Sequence, residues 1–110
     1  MAKHDKKVSY DEQGDMFAIH KGFSSDEKFK GNIDAGDLIL DMSTMGRVRG
    51  IEILNATEML KEFGVGKEEL KRLKAANFNA KVTANSTIVG LELKTSTSKI
   101  PAKIAVHLAR

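Results

Sequence analysis

Histidines are the first side chains to consider for chemistry, because their charge changes near neutral pH and their ring nitrogens bind metals. The chain has three of them, His4, His20 and His107. No two have the short i, i+2 or i, i+4 spacing that places two ligands on one metal. We therefore expect surface or sheet histidines and predict neither a metal site nor a catalytic pair.

Carboxylates are the next candidates, since paired carboxylates bind cations or act as a general acid and base. They fall in two groups, one in a loop and one around a strand: Asp11, Glu12 and Asp15, and Asp34, Asp37 and Asp41. The loop group lacks the D-x-[DN]-x-[DN]-G spacing of a calcium loop, so bonding to the turn backbone is the expected role. Acid–base work in the second group would need one desolvated member. A metal-dependent hydrolase is thus the third and weakest hypothesis.

Positive charge gathers in the second half of the chain. Residues 1–55 have a net charge of −2, whereas residues 56–110 have a net charge of +5. Four cations near the start of this half are our candidate nucleic-acid contacts: Lys67, Lys71, Arg72 and Lys74. Cationic surfaces attract phosphates, but Glu68 and Glu69 interleave with these residues, so a solvated helix face is the alternative.

Several classes of chemistry are excluded by what the sequence lacks. With no cysteine, there is no disulfide, zinc–thiolate site, iron–sulfur cluster or thiol nucleophile. Neither a phosphate-binding glycine loop nor a Gly-x-Ser-x-Gly elbow is present. We therefore predict no catalytic residue and no cofactor. No apolar run of about 18 residues occurs, and the charged N-terminus does not resemble a signal peptide, so we predict no membrane association and a cytoplasmic location.

The elements that would position these groups begin with strands. Residues 8–10 and 16–19 flank a polar, Gly-containing loop and predict a hairpin. Residues 20–36 are polar and Gly-rich, and we interpret them as a loop with a short strand near Ile33. Residues 38–42 and 47–54 predict two more strands. Alternation in the second of them fails at Gly50, which predicts a β-bulge there.

Two helices are expected in the middle of the chain. The spacing of Ala56, Met59, Leu60 and Phe63 predicts the first, with Asn55 as its N-cap and Gly64 as its left-handed end. The second is predicted over about residues 67–75. Residues 78–83 and 87–93 then predict a hairpin, and a final strand begins near Pro101.

The fold class predicted from this order is α+β in one domain, residues 1–110. It comprises about six to eight strands in antiparallel hairpins, with two short central helices packed on the sheet. Residues 10–60 would form a β-rich half that ends in a helix, and residues 61–110 the second helix and the C-terminal strands. Residues 48–53 also resemble residues 88–93, which indicates either a duplicated hairpin or a coincidence between two strands.

An ordered set of motifs adds a resemblance to this interpretation. The set is Tyr10-Asp11-x-x-x-Asp15-Met16-Phe17-Ala18-Ile19, then Leu40-Asp41, then Gly46-Arg47-Val48, then Gly50-Ile51-Glu52-Ile53-Leu54-Asn55-Ala56. It resembles domain-of-unknown-function family 2283, a family of short prokaryotic chains, over about residues 10–60. Ala18 stands where that family has an aromatic residue. The resemblance implies a small β-rich domain with a helix, and it implies no activity, cofactor or catalytic residue.

The sequence thus predicts a non-enzymatic protein-interaction or regulatory module. Strand-rich chains present edges that need partners, so a homodimer is expected, and a different protein partner is a further option. The alternative from another class is a nucleic-acid-binding protein that uses the basic helix.

Overall fold

The structure, a computed structural model, describes residues 7–107 and is built mainly from antiparallel strands. The first five strands form one sheet: β1 (Lys7–Asp11), β2 (Met16–His20), β3 (Phe29–Ala35), β4 (Leu38–Ser43) and β5 (Val48–Ile53). A short helical segment follows: α1 (Ala56–Met59), a 3₁₀ turn (Lys61–Phe63) and α2 (Lys67–Lys71). The last three strands form a second sheet: β6 (Ala75–Val82), β7 (Ser86–Lys94) and β8 (Lys99–His107).

The α+β fold class predicted from the sequence is wrong. Strands account for 54% of residues 7–107, in two sheets, and the helices are too short to form a layer of their own. The predicted helix over Ala56–Phe63 is instead a single α-helical turn followed by a 3₁₀ turn. The break occurs because Leu60 departs from helical geometry, with φ at −99° and ψ at 3°. The predicted second helix ends at Lys71, and Ala75 already begins β6. The helical segment therefore connects the two sheets and adds buried side chains such as Leu60 and Leu70 to their core, without forming a separate layer.

Long-range pairing orders the five-stranded sheet as β1-β2-β5-β4-β3. The predicted first hairpin is confirmed, with Tyr10 opposite Phe17. The short strand predicted near Ile33 is confirmed as part of the seven-residue strand β3, which pairs with β4, whereas the rest of β3 was interpreted as loop. Its polar sequence concealed its full length, since β3 is an edge strand whose side chains are mostly exposed. β5 lies between β2 and β4 and is the central strand of this sheet.

The bulge predicted at Gly50 is confirmed, and its extra residue is Arg49. Met42 pairs with Val48 and Asp41 pairs with Gly50, so Arg49 has no partner position on β4. After the bulge, Gly50 lies on the solvent face of the sheet, whereas Ile51 and Ile53 point into the core.

The three-stranded sheet has the order β6-β7-β8, and the predicted hairpin of residues 78–83 and 87–93 is confirmed. One buried apolar cluster joins the inner faces of both sheets to the helical segment. Its members from the three parts include Phe17, Leu40, Ile53, Leu60, Leu70, Phe78, Val89 and Leu93. Each sheet therefore has one face on this shared core and one face turned away from it.

Candidate functional site on the five-stranded sheet

Two rows of side chains cross the solvent face of the five-stranded sheet, one residue from each strand. The strand register gives the first row as Lys7, His20, Gly50, Asp41 and Asn32, and the second as Ser9, Ala18, Glu52, Ile39 and Asp34. Next to Gly50, the small side chain of Ala18 leaves a depression of about 220 Å³ in this face. We call it the Gly50 depression; its lining includes Lys7, Ser9, His20, Asp41 and Glu52.

Hydrogen bonds fix the His20 ring on one side of the Gly50 depression. The backbone N–H of Gly22 donates to His20 Nδ1 at 2.8 Å, so the ring proton of the neutral imidazole lies on Nε2. Nε2 faces Asp41 Oδ2 at 3.6 Å, and the Asn32 amide donates to the other oxygen of Asp41. Both ring nitrogens thus have neighbours, and neither is left to accept a proton from a substrate.

Gly50 is required where these two side chains meet. A Cβ atom at this position would lie 2.3 Å from His20 Cδ2 and 2.7 Å from Asp41 Oδ2. Only glycine lets the two side chains approach each other over the central strand. This close approach explains why the Gly50–Ala56 motif begins with a glycine in this chain.

Glu52 supplies a carboxylate with no counterion. It lies on the central strand, partly buried between Ala18 on β2 and Ile39 on β4. Within residues 7–107, no hydrogen bond or ion pair engages its carboxylate. Together with Asp41, it gives the Gly50 depression a negative end, where a cation from outside would find two acceptors.

A buried carboxylate in the β2–β3 connection holds the loop beside His20. The Glu27 side chain is fully buried and contacts Nε of Arg47 at 3.1 Å and Nε of Arg49 at 3.2 Å. The backbone N–H of Ser24, and then hydroxyl and arginine neighbours, lower the pKa of Glu27 to about 2. Arg49 also donates to the carbonyl of Gly22 at 2.8 Å. Glu27 therefore positions the residue that fixes the His20 ring.

A second polar network explains other residues of the motif set. The Asp15 carboxylate accepts from the Tyr10 hydroxyl at 2.7 Å, from Thr57 Oγ1 at 2.7 Å and from the Thr57 N–H at 3.2 Å. Burial acts to raise the pKa of Asp15, but the hydrogen bonds from Thr57 and Tyr10 outweigh it, and the pKa lies below its usual value. Burial and the bond to Asp15 raise the pKa of Tyr10 to about 12.

The start of α1 differs from the predicted cap. Asn55 has a left-handed backbone, with φ at 51°, and makes no side-chain cap bond. Asp15, from the β1–β2 loop, accepts the first helical N–H groups in its place. A long-range cap of this kind leaves no local sequence signal. The predicted left-handed end at Gly64 is confirmed, with φ at 78°.

The four predicted nucleic-acid contacts lie in and after α2. Lys71 lies 3.7 Å from Glu12 and 3.8 Å from Glu68, and Arg72 lies 3.6 Å from Glu68. Lys67 is at the N-terminus of this five-residue helix and lowers the pKa of nearby Asp15, while Lys74 precedes β6. Two of the four cations are therefore paired with glutamates, and nucleic-acid binding through them stays a prediction.

The remaining candidates are dispersed. His107 ends β8, far along the chain from His20 and on the other sheet, and His4 lies outside the described residues. Asp37 contacts Asn55 in a turn, at 3.5 Å. Across residues 7–107, no group of three histidine, aspartate or glutamate side chains could hold a metal ion. In the same residues, no helix is long and apolar enough to cross a membrane.

Fold and site together define a small antiparallel β protein with a polar depression on an open sheet face. Residues 7–56, which comprise the five-stranded sheet and the start of α1, match the model of the family described as "Protein of unknown function (DUF2283)". The resemblance inferred from the motifs is confirmed over these residues.

One curated relative is similar over more of the chain. It is a Methanosarcina mazei protein provisionally named hypoxanthine phosphoribosyltransferase, 29% identical over 93 residues. The similarity covers 84% of this chain and 69% of the relative. No solved structure matches.

Proposed function

We propose that the protein is a non-enzymatic interaction module that binds a basic side chain of a partner protein in the Gly50 depression. The observation that carries the proposal is the partly buried Glu52 carboxylate, which has no partner within residues 7–107 and lines the depression together with Asp41 and Ala18. A lysine or arginine head group entering there would form charge-assisted hydrogen bonds in a partly desolvated setting. The cytoplasm stays the predicted location.

The chemistry of the depression supports binding over catalysis. A general base needs a free acceptor atom within hydrogen-bond reach of its proton, but His20 Nδ1 already accepts the Gly22 N–H and Nε2 carries the ring proton of the neutral imidazole. Phosphoribosyl transfer, the alternative raised by the name of the relative, requires donors for a polyanionic phosphate substrate. The lining holds two carboxylate acceptors, Asp41 and Glu52, against one lysine, Lys7. This contrast favours a cationic ligand.

A titration tests the proposal with a short lysine-rich peptide as the probe. Backbone amide shifts in dilute, isotope-labelled protein should move at Ala18, Gly50 and Glu52. The Glu52→Gln variant should weaken binding about tenfold, because it removes the unpaired charge. Glu58→Gln is the matched control, since Glu58 is exposed on α1 and away from the sheet face. Shifts confined to other residues, or equal binding by both variants, would refute the proposal.

A further inference from the structure

The solvent face of the three-stranded sheet carries the opposite charge to the Gly50 depression. Alternation along β6, β7 and β8 places on this face the side chains of Lys81, Lys94, Lys99 and Lys103, with Glu92 as its acidic member. We call it the basic face. A depression of about 590 Å³ includes Asn79, Gly90 and Lys103 in its lining.

The solvent face of the five-stranded sheet is mostly acidic. It carries Asp11, Asp34, Asp41 and Glu52, with Lys7 at one corner and Lys30 at the bulge of β3. We call it the acidic face. The uneven charge of the two halves of the sequence is therefore displayed as two sheet faces of opposite sign.

Within residues 7–107, both faces carry charges that have no counterion. Glu52 has none among residues 7–107, as described above. On the basic face, Lys94 and Lys99 are directly opposite each other in the β7–β8 register. Like charges at directly opposite positions destabilise a sheet, and a carboxylate placed between them would relieve the repulsion.

Each face has small side chains near its centre. The acidic face has Ala18 on β2, next to the point where His20 and Asp41 cover Gly50, and the basic face has Gly90 on its central strand with Ala105 nearby on β8. Two sheets pack face to face at about 10 Å, which requires small side chains where charged ones must reach across. Both faces meet this requirement.

We propose that the basic face of one copy of this chain docks on the acidic face of a second copy. The idea rests on the proposed function and names its partner: the cation that enters the Gly50 depression is a lysine of the basic face. Each face turns away from the shared core, so a copy uses different faces toward its two neighbours. The association is therefore head-to-tail, and it is weakened by salt.

Sedimentation analysis of charge-reversed variants tests the docking. One variant reverses the acidic face (Asp34→Lys with Glu52→Lys), and the other reverses the basic face (Lys94→Glu with Lys103→Glu). Each alone should associate at least about tenfold more weakly than the unchanged chain at low salt. An equal mixture of the two should recover association, because each chain offers the other the charge that it lost. Recovery also shows that both variants are folded.

Two controls make the outcome decisive. Glu62→Lys and Lys61→Glu reverse exposed charges on the 3₁₀ turn and should leave association unchanged. Docking is refuted if the chain stays monomeric at low salt, or if the mixture fails to recover association. In that case, lysine-peptide binding at Gly50 would still support the proposed function. If reversal of the basic face leaves self-association intact but abolishes salt-dependent binding of a DNA or RNA oligonucleotide, the basic face binds nucleic acid.

Discussion

The two sheets place a glycine at the same point of a similar strand, yet the glycines have different neighbours. Gly50 in β5 and Gly90 in β7 lie on central strands, two residues before a glutamate on the solvent face. At Gly50 an added Cβ would meet two side chains that are fixed by hydrogen bonds, His20 and Asp41. At Gly90 its nearest contact is Asn79 Oδ1, at 3.0 Å. A shared local pattern therefore does not define a shared site.

The sheets also differ in how polar groups contribute to them. The five-stranded sheet has the networks of Glu27 and of Asp15, each connecting segments distant in sequence. The three-stranded sheet contains a buried hydroxyl, Thr87 Oγ1, that has no hydrogen-bond partner among the described residues. Buried carboxylate networks therefore belong to the first sheet, while the other buried side chains of the second sheet are apolar.

The largest expected effect is at Glu27. Glu27→Gln leaves Arg49 without its counterion and should cause the greatest loss of stability in this set. Because the pKa of Glu27 is lowered to about 2 when folded, its contribution is complete above the unfolded pKa near 4.5 and is lost as pH falls toward 2. Urea unfolding at several pH values should show this acid dependence in the unchanged chain and a weaker one in the variant. Glu92→Gln, exposed on β7, should alter neither quantity.

The next largest loss of stability is expected on replacing a glycine of the two central strands. Gly50→Ala should lower the free energy of unfolding by about 1–3 kcal/mol, since the His20 ring and Asp41 must move. Gly90→Ala should change it by less than about 0.5 kcal/mol, because rotation of Asn79 offsets the gain from reduced chain entropy. Urea midpoints measure both. Equal losses at the two positions would contradict the different roles assigned to the glycines.

Tyr10 tests the Asp15 network at the alkaline end. Tyr10→Phe should cost about 1 kcal/mol by removing the hydrogen bond to Asp15. The folded pKa of Tyr10 is raised to about 12, so its contribution is complete below the unfolded pKa of 10 and is lost as pH rises toward 12. Unfolding experiments across that range should show less loss in the variant. An identical alkaline profile would argue against the bond.

The smallest expected effect is a gain in the second sheet. Thr87→Val replaces a fully buried, unpaired hydroxyl with a methyl group of similar size. It should raise the free energy of unfolding by about 0.5–1 kcal/mol. Loss of stability would mean that the hydroxyl has a partner. Thr83→Val is the contrast, because Thr83 Oγ1 accepts bonds in the β6–β7 turn and its removal should destabilise.

Local signals predicted the hairpins and the bulge because turn residues and alternation are read from neighbours in the chain. They failed where long-range packing decides. The apolar spacing near Leu60 predicted a longer helix, but the segment needs only to connect two sheets. Strand β3 was predicted only as a short piece near Ile33, because exposed polar residues at an edge concealed its full length. The fold class was wrong because the predicted helices are too short to form a layer.

The candidate site was only partly visible in the sequence. His20 and Asp41 were noted as separate candidates, 21 positions apart, and nothing local indicates that they meet over Gly50. Glu52 could have been found, since it alternates with the buried Ile51 and Ile53 and must face solvent. Glu27 offered no signal, because this loop glutamate is buried against two arginines distant in sequence, Arg47 just before β5 and Arg49 within it.

The most direct test of the central claim is an amide ¹⁵N–¹H spectrum of the unchanged chain, recorded in dilute and in concentrated solution at low salt. The amides of Gly50 and Glu52 on one face, and of Gly90 and Lys103 on the other, should shift together as concentration rises and return when salt is added. Spectra that are identical at both concentrations, or shifts confined to residues outside these two faces, would contradict the account.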